Sequence, residues 1–557
     1  MATTEATTNG TMPNDRHTIG ISFGNSNNSI AIAVDDKAEV IANEDGDRQI
    51  PAILSYVEGE EYTGQQAKAQ LIRNSKNTVA YFRDFLGQDF ASIDPTHSHA
   101  SAHPQEHEST VAFNIQDKAD SETSTVTVSE VATRLFKRLA QSASDYSGKT
   151  VNSAVITIPT NFSDKQKAAL ITAANNADLE VLQLIHEPIA AVLAYDAKNE
   201  HSGSDKVVVV ADLGGTRSDV AVVAARNGIY TILATAHDYE FAGTALDVVL
   251  QDHFAKEFIK WNTTDPREEA RSMAKLKLES EATKKALSIG TNANFSVESL
   301  AEGADFSSTI NRLRYEMIAR KVFDGFSRLI EGAVKKADLD VLDIDEVILS
   351  GGTSHTPKIA RNMQSLFPKA TVLAPSTTPT AINPSELQAR GAALQANLIQ
   401  EYEAEDIEQS THAAVTTVKH LTNAIGVLSA DDVFTPIIAA ETAVPARRTI
   451  HISAPAAGDV LIKIVEGGSH IKISTIEPKP KDEADSDDSD DDSDEEPEEQ
   501  REKVWKVGTV LAEASIKGIK KCGKVEVMIN VAADLAVTVT AREVGGKGGL
   551  RGNITAP

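Results

Sequence analysis

The apolar positions of this chain fall into two rhythms, one for each of its two parts. Residues 17–43 read as strand, glycine turn, strand: HTIGISFGNSNNSIAIAV, then AEVIAN. Apolar residues at helical spacing predict a helix over 129–146 (SEVATRLFKRLAQSASDY). A buried strand, SAVITIP, follows at 153–159, and Ser163 is placed to cap a helix through KQKAALITAANNA. VLQLIHEPIAAVLAYDA (181–197) is another strand, with a helix beginning near Pro188.

The opening theme then returns. KVVVVADLGGTRSDVAVVAARNGIYTILAT (206–235) is again strand, glycine-rich turn, strand. Helical patterns cover 278–287 and 315–336, EVILSGGTSHTPKIARNMQSLF (346–367) reads strand, double glycine, helix, and 386–402 is a last strong helix. Beyond about residue 419 helical spacing gives way to alternation in RRTIHISA, DVLIKIVEG, KVEVMINVA and LAVTVTARE, which predicts a small β-sandwich. The expected divisions are a disordered tail at 1–16, an α/β domain at 17–402, a linker at 403–418, and a β-domain at 419–557. A disordered acidic loop is expected at 478–503.

Charge sharpens this picture. The formal net charge is -27, and residues 482–502 hold 14 acidic side chains against Arg501, or -13, leaving -14 elsewhere. Such a surface repels a phosphate backbone, so direct nucleic-acid binding is not expected. Ser489 and Ser493 in the acidic run are candidate sites for an acid-directed kinase. A single cysteine, Cys522, excludes an internal disulfide and a cysteine-based zinc site. No run approaches ~18 apolar residues, and MATTEATTNGTMPNDR lacks the features of a secretory or transit signal, so a cytoplasmic protein away from membranes is expected. His17, His97, His99, His103 and His107 lack fixed helical spacing and a carboxylate shell, so no metal site is assigned to them.

Three glycine turns carry the candidate chemistry: Gly24-Asn25-Ser26, Gly214-Gly215-Thr216, and Gly351-Gly352-Thr353-Ser354 ahead of Pro357. A strand that ends in such a turn exposes backbone N–H groups able to cradle phosphate oxygens. No GxxxxGK[ST] or GxGxxG is present, so a clamp built from two hairpins remains.

GISFGNSNNSIAIAV, VITIPTNFSDKQKAAL, LIHEPIAAVLAYD, DLGGTRSDVAVV, ESEATKKALS, VILSGGTSHTPKI and NPSELQARGAALQA occur in order over about residues 18–400. Together they resemble the nucleotide-domain motifs of the heat-shock-70 chaperone family, and the strand-rich tail is similar to that family's substrate-binding β-domain. The resemblance implies an actin-like two-lobed α/β domain followed by an antiparallel β-sandwich, with ATP as ligand and Mg2+ as a possible companion. It implies that Gly24, Asn25 and Ser26 embrace the phosphates from one lobe, and Gly214, Gly215 and Thr216 from the other. Glu187 and Asp212 match acidic residues that organise metal and water. Glu281, Lys284, Lys285 and Ser288 match the helix that grips adenosine, and Gly351, Gly352, Thr353 and His355 the opposite wall.

The departures from that pattern cluster around the γ-phosphate. Ser22 stands where the family has aspartate, and Arg83 where it has the lysine that positions the attacking water. Thr216 and Arg217 replace a glycine and a threonine, His355 replaces an adenine-stacking arginine, and Ser385 an aspartate. Guanidinium is larger and planar and does not deprotonate, and phosphoryl transfer depends on placement of charge. Arg83 and Arg217 are expected to hold phosphate while failing to direct water, so the expectation is ATP binding with hydrolysis lost or very weak. The stretch at the linker lacks the family's leucine run, and with only GKGGLRGNITAP after Gly545 the family's helical lid is not expected. An open strand edge recruits another chain.

The pattern resembles an atypical, ribosome-associated member of the family. That implies a stable J-domain partner of the zuotin type, contact with the ribosome through that partner, and stimulation of a separate ribosome-bound heat-shock-70 chaperone. The competing classes are an active ATP-hydrolysing, peptide-binding chaperone and a small-molecule kinase on the same fold. The kinase would need an acceptor base between the lobes.

Overall fold

The computed structural model describes residues 15–34, 37–93, 101–116, 118, 123–198, 204–411, 419–429, 431–454, 456–476, 498–545 and 549–555. The expected acidic loop through 497, both candidate serines, most of the tail, and His97 and His99 lie outside these residues. The chain divides into two compact units: 1–203 with 207–223 and 232–412, and 204–206 with 224–231 and 413–557. Among the described residues no helix is long and apolar enough to cross a membrane.

The larger unit is a duplication, as the returning strand–turn–strand pattern predicts. In its first sheet Thr18–Phe23 lies between Asn27–Val34 and Ser153–Ile158, with Lys37–Ile41 and Glu180–His186 outermost. In the second sheet Lys206–Leu213 takes the central place, between Ser218–Arg226 and Glu346–Ser350, with Ile229–Asp238 and Thr371–Leu373 outermost. Each central strand pairs in parallel with the strand that comes back through a crossover, Thr18 opposite Ser153 and Val208 opposite Glu346. Both glycine turns therefore leave their sheets at equivalent points.

The helix start after Ser163 follows the signal read from sequence. The helix Val128–Ser147 opens with a capping box between Thr127 and Glu130, and Asp164–Asn175 with one between Ser163 and Gln166. The 315–336 pattern resolves into two helices, Arg312–Ile318 and Arg320–Lys336, broken at Ala319. Each lobe has its own aromatic core: Phe23 stacks on Phe136 at 4.7 Å in the first, and Phe254 on Phe295 at 4.0 Å in the second.

The helix Leu387–Ile399 packs on the strand Thr18–Phe23 and on the helix Glu187–Asp196. Two glycines make those approaches possible. A Cβ on Gly391 would lie 1.9 Å from the Ala190 carbonyl oxygen, and one on Gly20 would lie 2.1 Å from the Ala393 nitrogen. Both obstacles are backbone and cannot swing aside. Gly391→Ala is expected to destabilise the larger unit by about 1–3 kcal/mol, the usual cost of overpacking, read as a lower urea midpoint of its unfolding transition.

The smaller unit is an antiparallel sandwich. One sheet runs Phe434–Ile438, Ala424–Leu428, Gly458–Ile476, Glu498–Ile519, and the other Ala446–Ser453, Lys524–Val531, Val537–Glu543, Gly549–Ile554. Ile425, Ile438 and Ile464 face Val527, Ile529 and Val539 in its core. The strand Glu498–Ile519 starts inside the stretch that composition marks as loop, because its residues pair in register with Gly458–Ile476. Cys522 is exposed in a left-handed turn.

Candidate functional site

The cleft of the larger unit is built where the two glycine turns meet. Gly24 donates its N–H to Asn28 Oδ1 at 3.1 Å, and Gly214 donates to the Arg217 carbonyl at 3.0 Å, closing the second turn tightly. The carbonyls of Gly214 and Gly215 accept from the N–H groups of Gly243 and Thr244, at the start of the helix Gly243–Asn262, and Thr353 Oγ1 also donates to Gly214. A Cβ on Gly215 would lie 2.5 Å from Ser26 Oγ, so the turns face each other at close range. Asn25 bridges them: its Nδ2 donates to Thr216 Oγ1 at 2.9 Å, and its Oδ1 accepts the Arg83 backbone N–H at 3.0 Å.

Both substituted arginines are buried and fully occupied with carboxylates. Arg83 donates from Nε to Asp84 Oδ1 at 2.9 Å, and from Nη1 to Glu187 Oε1 at 3.1 Å and the Phe23 carbonyl at 3.2 Å. Arg217 forks onto both oxygens of Asp219, donates to Tyr239 Oη and Asn161 Oδ1 at 3.0 Å each, and approaches Asp84 at 3.7 Å. Such bidentate pairing is what a planar guanidinium does best. Burial opposes the charge on Arg217, but Asp219 and Asp84 outweigh it and raise its pKa. Asp84 is likewise held ionised below the usual range by Arg83 and Arg217, against the pull of burial.

Glu187, Asp212 and Asp219 form a group of carboxylates whose oxygens all lie within 4.8 Å of one another. Burial lifts Glu187 to about 8, and Asp212 and Asp219 add to it, only partly offset by Arg83 and Arg217. Burial and then Asp219 lift Asp212 to about 6. Ser22 sits beside this group: its Oγ donates to Gln388 Oε1 at 2.9 Å, and Gln388 Nε2 donates to Asp212 Oδ2 at 2.8 Å. The amide thus spans the gap between Ser22 and Asp212.

The remaining predicted residues lie on the outer part of the cleft. Lys284 donates to Asp247 Oδ2 at 2.9 Å and to the Gly243 carbonyl at 3.0 Å. Ser288 Oγ donates to the Lys284 carbonyl and lines a cavity of about 710 Å³ with Pro357. Gly351 has φ 83°, and a Cβ there would lie 2.5 Å from the Leu213 carbonyl oxygen, so glycine is required. Gly352 meets only Ser385 Oγ, at 3.9 Å, and leaves an open wall. His355 Nε2 and Ser385 Oγ share a hydrogen bond of 3.0 Å, and burial lowers the imidazole pKa.

Glu281 carries the contact across the mouth of the cleft. Lys68 Nζ lies 2.7 Å from its Oε2, and Lys285 Nζ 2.6 Å from its Oε1. Burial alone raises this carboxyl, yet the two ammonium groups outweigh it and hold it at about 2, below the ordinary glutamate value. Its folded pKa is depressed, so its contribution is complete above about 4.5 and is lost as pH falls towards 2. Lys68→Met is therefore expected to lower the melting temperature at pH 6, with the difference from wild type shrinking through that acid window.

Asp84, Asp219, Asn161, Tyr239, Gln388 and Lys68 are site residues that the sequence reading missed. Asp219 had a signal: a buried arginine two residues earlier at the mouth of a strand requires a carboxylate on its own face. Gln388 and Lys68 had none, since they arrive from helices 366 and 213 residues away from their partners Ser22 and Glu281.

The Hsp70 protein family model matches residues 18–473 of this chain. The chain belongs to the Hsp70 family. Its architecture is accordingly the two-lobed actin-like nucleotide fold of the Hsp70 family, followed by a β-sandwich. It is 45% identical over 539 residues to the ribosome-associated complex subunit SSZ1 of Saccharomyces cerevisiae, covering 96% of this chain and 99% of that one. It is 44% identical over 536 residues to a heat shock protein 70 homolog of Schizosaccharomyces pombe, covering 95% and 94%. Human heat shock 70 kDa protein 14 is 33% identical over 441 residues, 78% of this chain and 84% of that one.

Proposed function

We propose that this Hsp70 protein binds ATP between its glycine turns without useful hydrolysis and serves as the Hsp70-type subunit of a ribosome-associated complex. In this reading it forms a stable heterodimer with a J-domain protein of the zuotin type and reaches the ribosome through that partner. The pair stimulates the ATPase of a separate ribosome-bound Hsp70 chaperone working on nascent chains. The protein is then cytoplasmic and has no direct contact with nucleic acid or membrane.

The observation that carries the absence of turnover is the engagement of Arg83 and Arg217. Each buried guanidinium is already tied to carboxylates, so neither is placed to orient an attacking water as a compact ammonium could. The ligand fits the residues present. Gly214, Gly215 and Gly24 add no side chain of their own between the turns, Ser26 and Thr216 offer hydroxyls there, and Gly352 leaves the opposite wall open. Gly24, Asn25, Ser26, Gly214, Gly215 and Thr216 would hold the phosphates. Glu281, Lys284, Lys285, Ser288, Gly351, Thr353 and His355 would frame the nucleoside.

An all-oxygen carboxylate group suits a hard divalent cation. With Asp84 included, four carboxylates face two arginines, an excess of two negative charges if all are ionised. Glu187, Asp212 and Asp219 would hold Mg2+, which supplies neutralising charge for phosphates when bound. That same group favours a second reading, a peptide-binding chaperone with residual ATPase activity. The large identity to SSZ1 supports the first. Reconstitution separates them: this protein and a zuotin-type J-protein together should stimulate a ribosome-bound Hsp70 ATPase, and neither should do so alone. Peptide-stimulated ATP turnover by this protein alone would favour the chaperone.

A further inference from the structure

The cleft is held shut by side chains of the protein itself. Arg217, from the second lobe, reaches Asn161 and Asp84 of the first; Asn25 of the first donates to Thr216 of the second. Gln388, on the helix packed against the first sheet, holds Asp212 of the second, and Lys68 meets Glu281 at the mouth. Arg217, Asn25 and Thr216 are all buried. Asp84 lies where the two arginines meet. One oxygen takes Arg83 at 2.9 Å and the other faces Arg217 at 3.7 Å, so this single carboxylate collects a cation from each lobe.

We propose that Asp84 is a positioning residue that bolts the two lobes closed whether or not nucleotide is present. Two guanidinium groups brought together repel unless a carboxylate lies between them, and the half-buried Asp84 carboxylate does so between two buried arginines, where screening by salt is weakened. Opening the cleft would part Arg217 from both Asp84 and Asn161, Asn25 from Thr216, and Gln388 from Asp212 in one motion. A ligand shifts a conformational equilibrium only by its differential affinity for the two states. With closure already secured by these bonds, nucleotide has little left to shift. Nucleotide bound inside, which rests on the ATP reading above, is then trapped and leaves slowly.

The test is a distance across the cleft mouth in the full chain. Spin labels go at the exposed positions Gln65 and Ala282, as Gln65→Cys and Ala282→Cys, with the exposed Cys522 changed to serine. The expected result is one distance that stays the same after nucleotide is stripped and after ATP is restored. Asp84→Asn should add a longer, nucleotide-dependent distance and speed the release of a fluorescent ATP analogue by about tenfold, as expected when an ion pair across the lobes is lost. Asp84→Glu should restore the single distance. Should Asp84→Asn not fold, Asn161→Ala, at an exposed position, cuts the Arg217 bridge alone and should move both readouts the same way by less. A wild-type mouth that opens by about 5 Å or more on stripping, as hinged domains do, overturns the bolt and leaves binding without turnover intact. Phosphate release at an unchanging distance overturns the non-hydrolysing reading and leaves the bolt standing.

Discussion

Phosphate release rises by about 10²–10³-fold when Ser22→Asp, Arg83→Lys, Thr216→Gly and Arg217→Thr are combined, and by less than about tenfold with Arg83→Lys alone. The reasoning is geometric. Arg83→Lys places a compact ammonium beside Glu187, but Arg217 still forks onto Asp219 and still crowds Asp84. The second turn keeps its bulk, and the carboxylates of the site remain matched to arginines rather than to a cation and its waters. Removing Arg217 as well frees Asp219 to join Glu187 and Asp212, while Ser22→Asp adds a fourth carboxylate where Gln388 now bridges to Asp212. Groups that act as a unit are strongly non-additive, so the combined variant should exceed the product of the single changes. Steady-state phosphate assays on protein purified away from other chaperones read the effect.

Arg83→Met has the largest expected effect on stability. It removes the only cation bonded to Glu187 among the described hydrogen bonds and leaves that carboxylate buried beside Asp212 and Asp219. Breaking a buried ion pair from one side costs about 3–5 kcal/mol. The cost depends on pH with a definite sign. Glu187 is already raised to about 8 and Asp212 to about 6, so each favours folding when protonated and loses that contribution as pH rises through its folded value. Without Arg83 both carboxyls rise further. The drop in the urea midpoint should therefore be largest at pH 8.5 and smaller at pH 5.5, where both groups take up protons. A drop of the same size at both pH values would mean that Glu187 does not carry the cost.

Much of the fold was legible because its signals are local. Strand–glycine–strand at Thr18–Val34 and again at Lys206–Arg226 gave the duplication, and the Ser163 cap fixed a helix start. The break at Ala319 was not legible, since apolar spacing continues through it from Tyr315 to Phe326. Ordered motifs gave the turns and the positions of Ser22, Arg83 and Arg217, but not the fate of those arginines. Substitution by arginine reads in sequence as a cation near phosphate. In the fold each charge is spent on a neighbour: Asp84 one residue on from Arg83, and Asp219 two residues on from Arg217. The Lys68 and Gln388 contacts required the tertiary structure, because nothing in GQQAKAQ or in LQARGAALQ marks a residue that crosses a cleft.

The central claim, ATP held without turnover, is tested most directly by a single-turnover measurement with protein in excess over γ-labelled ATP. The label should stay on the protein as ATP, with no free phosphate above background after about an hour, a time in which phosphoryl transfer at about 10⁻² s⁻¹ would run to completion. Conversion of the bound ATP to phosphate within minutes, insensitive to removal of contaminating chaperone and abolished by Gly215→Val, would contradict it and place hydrolysis in this cleft.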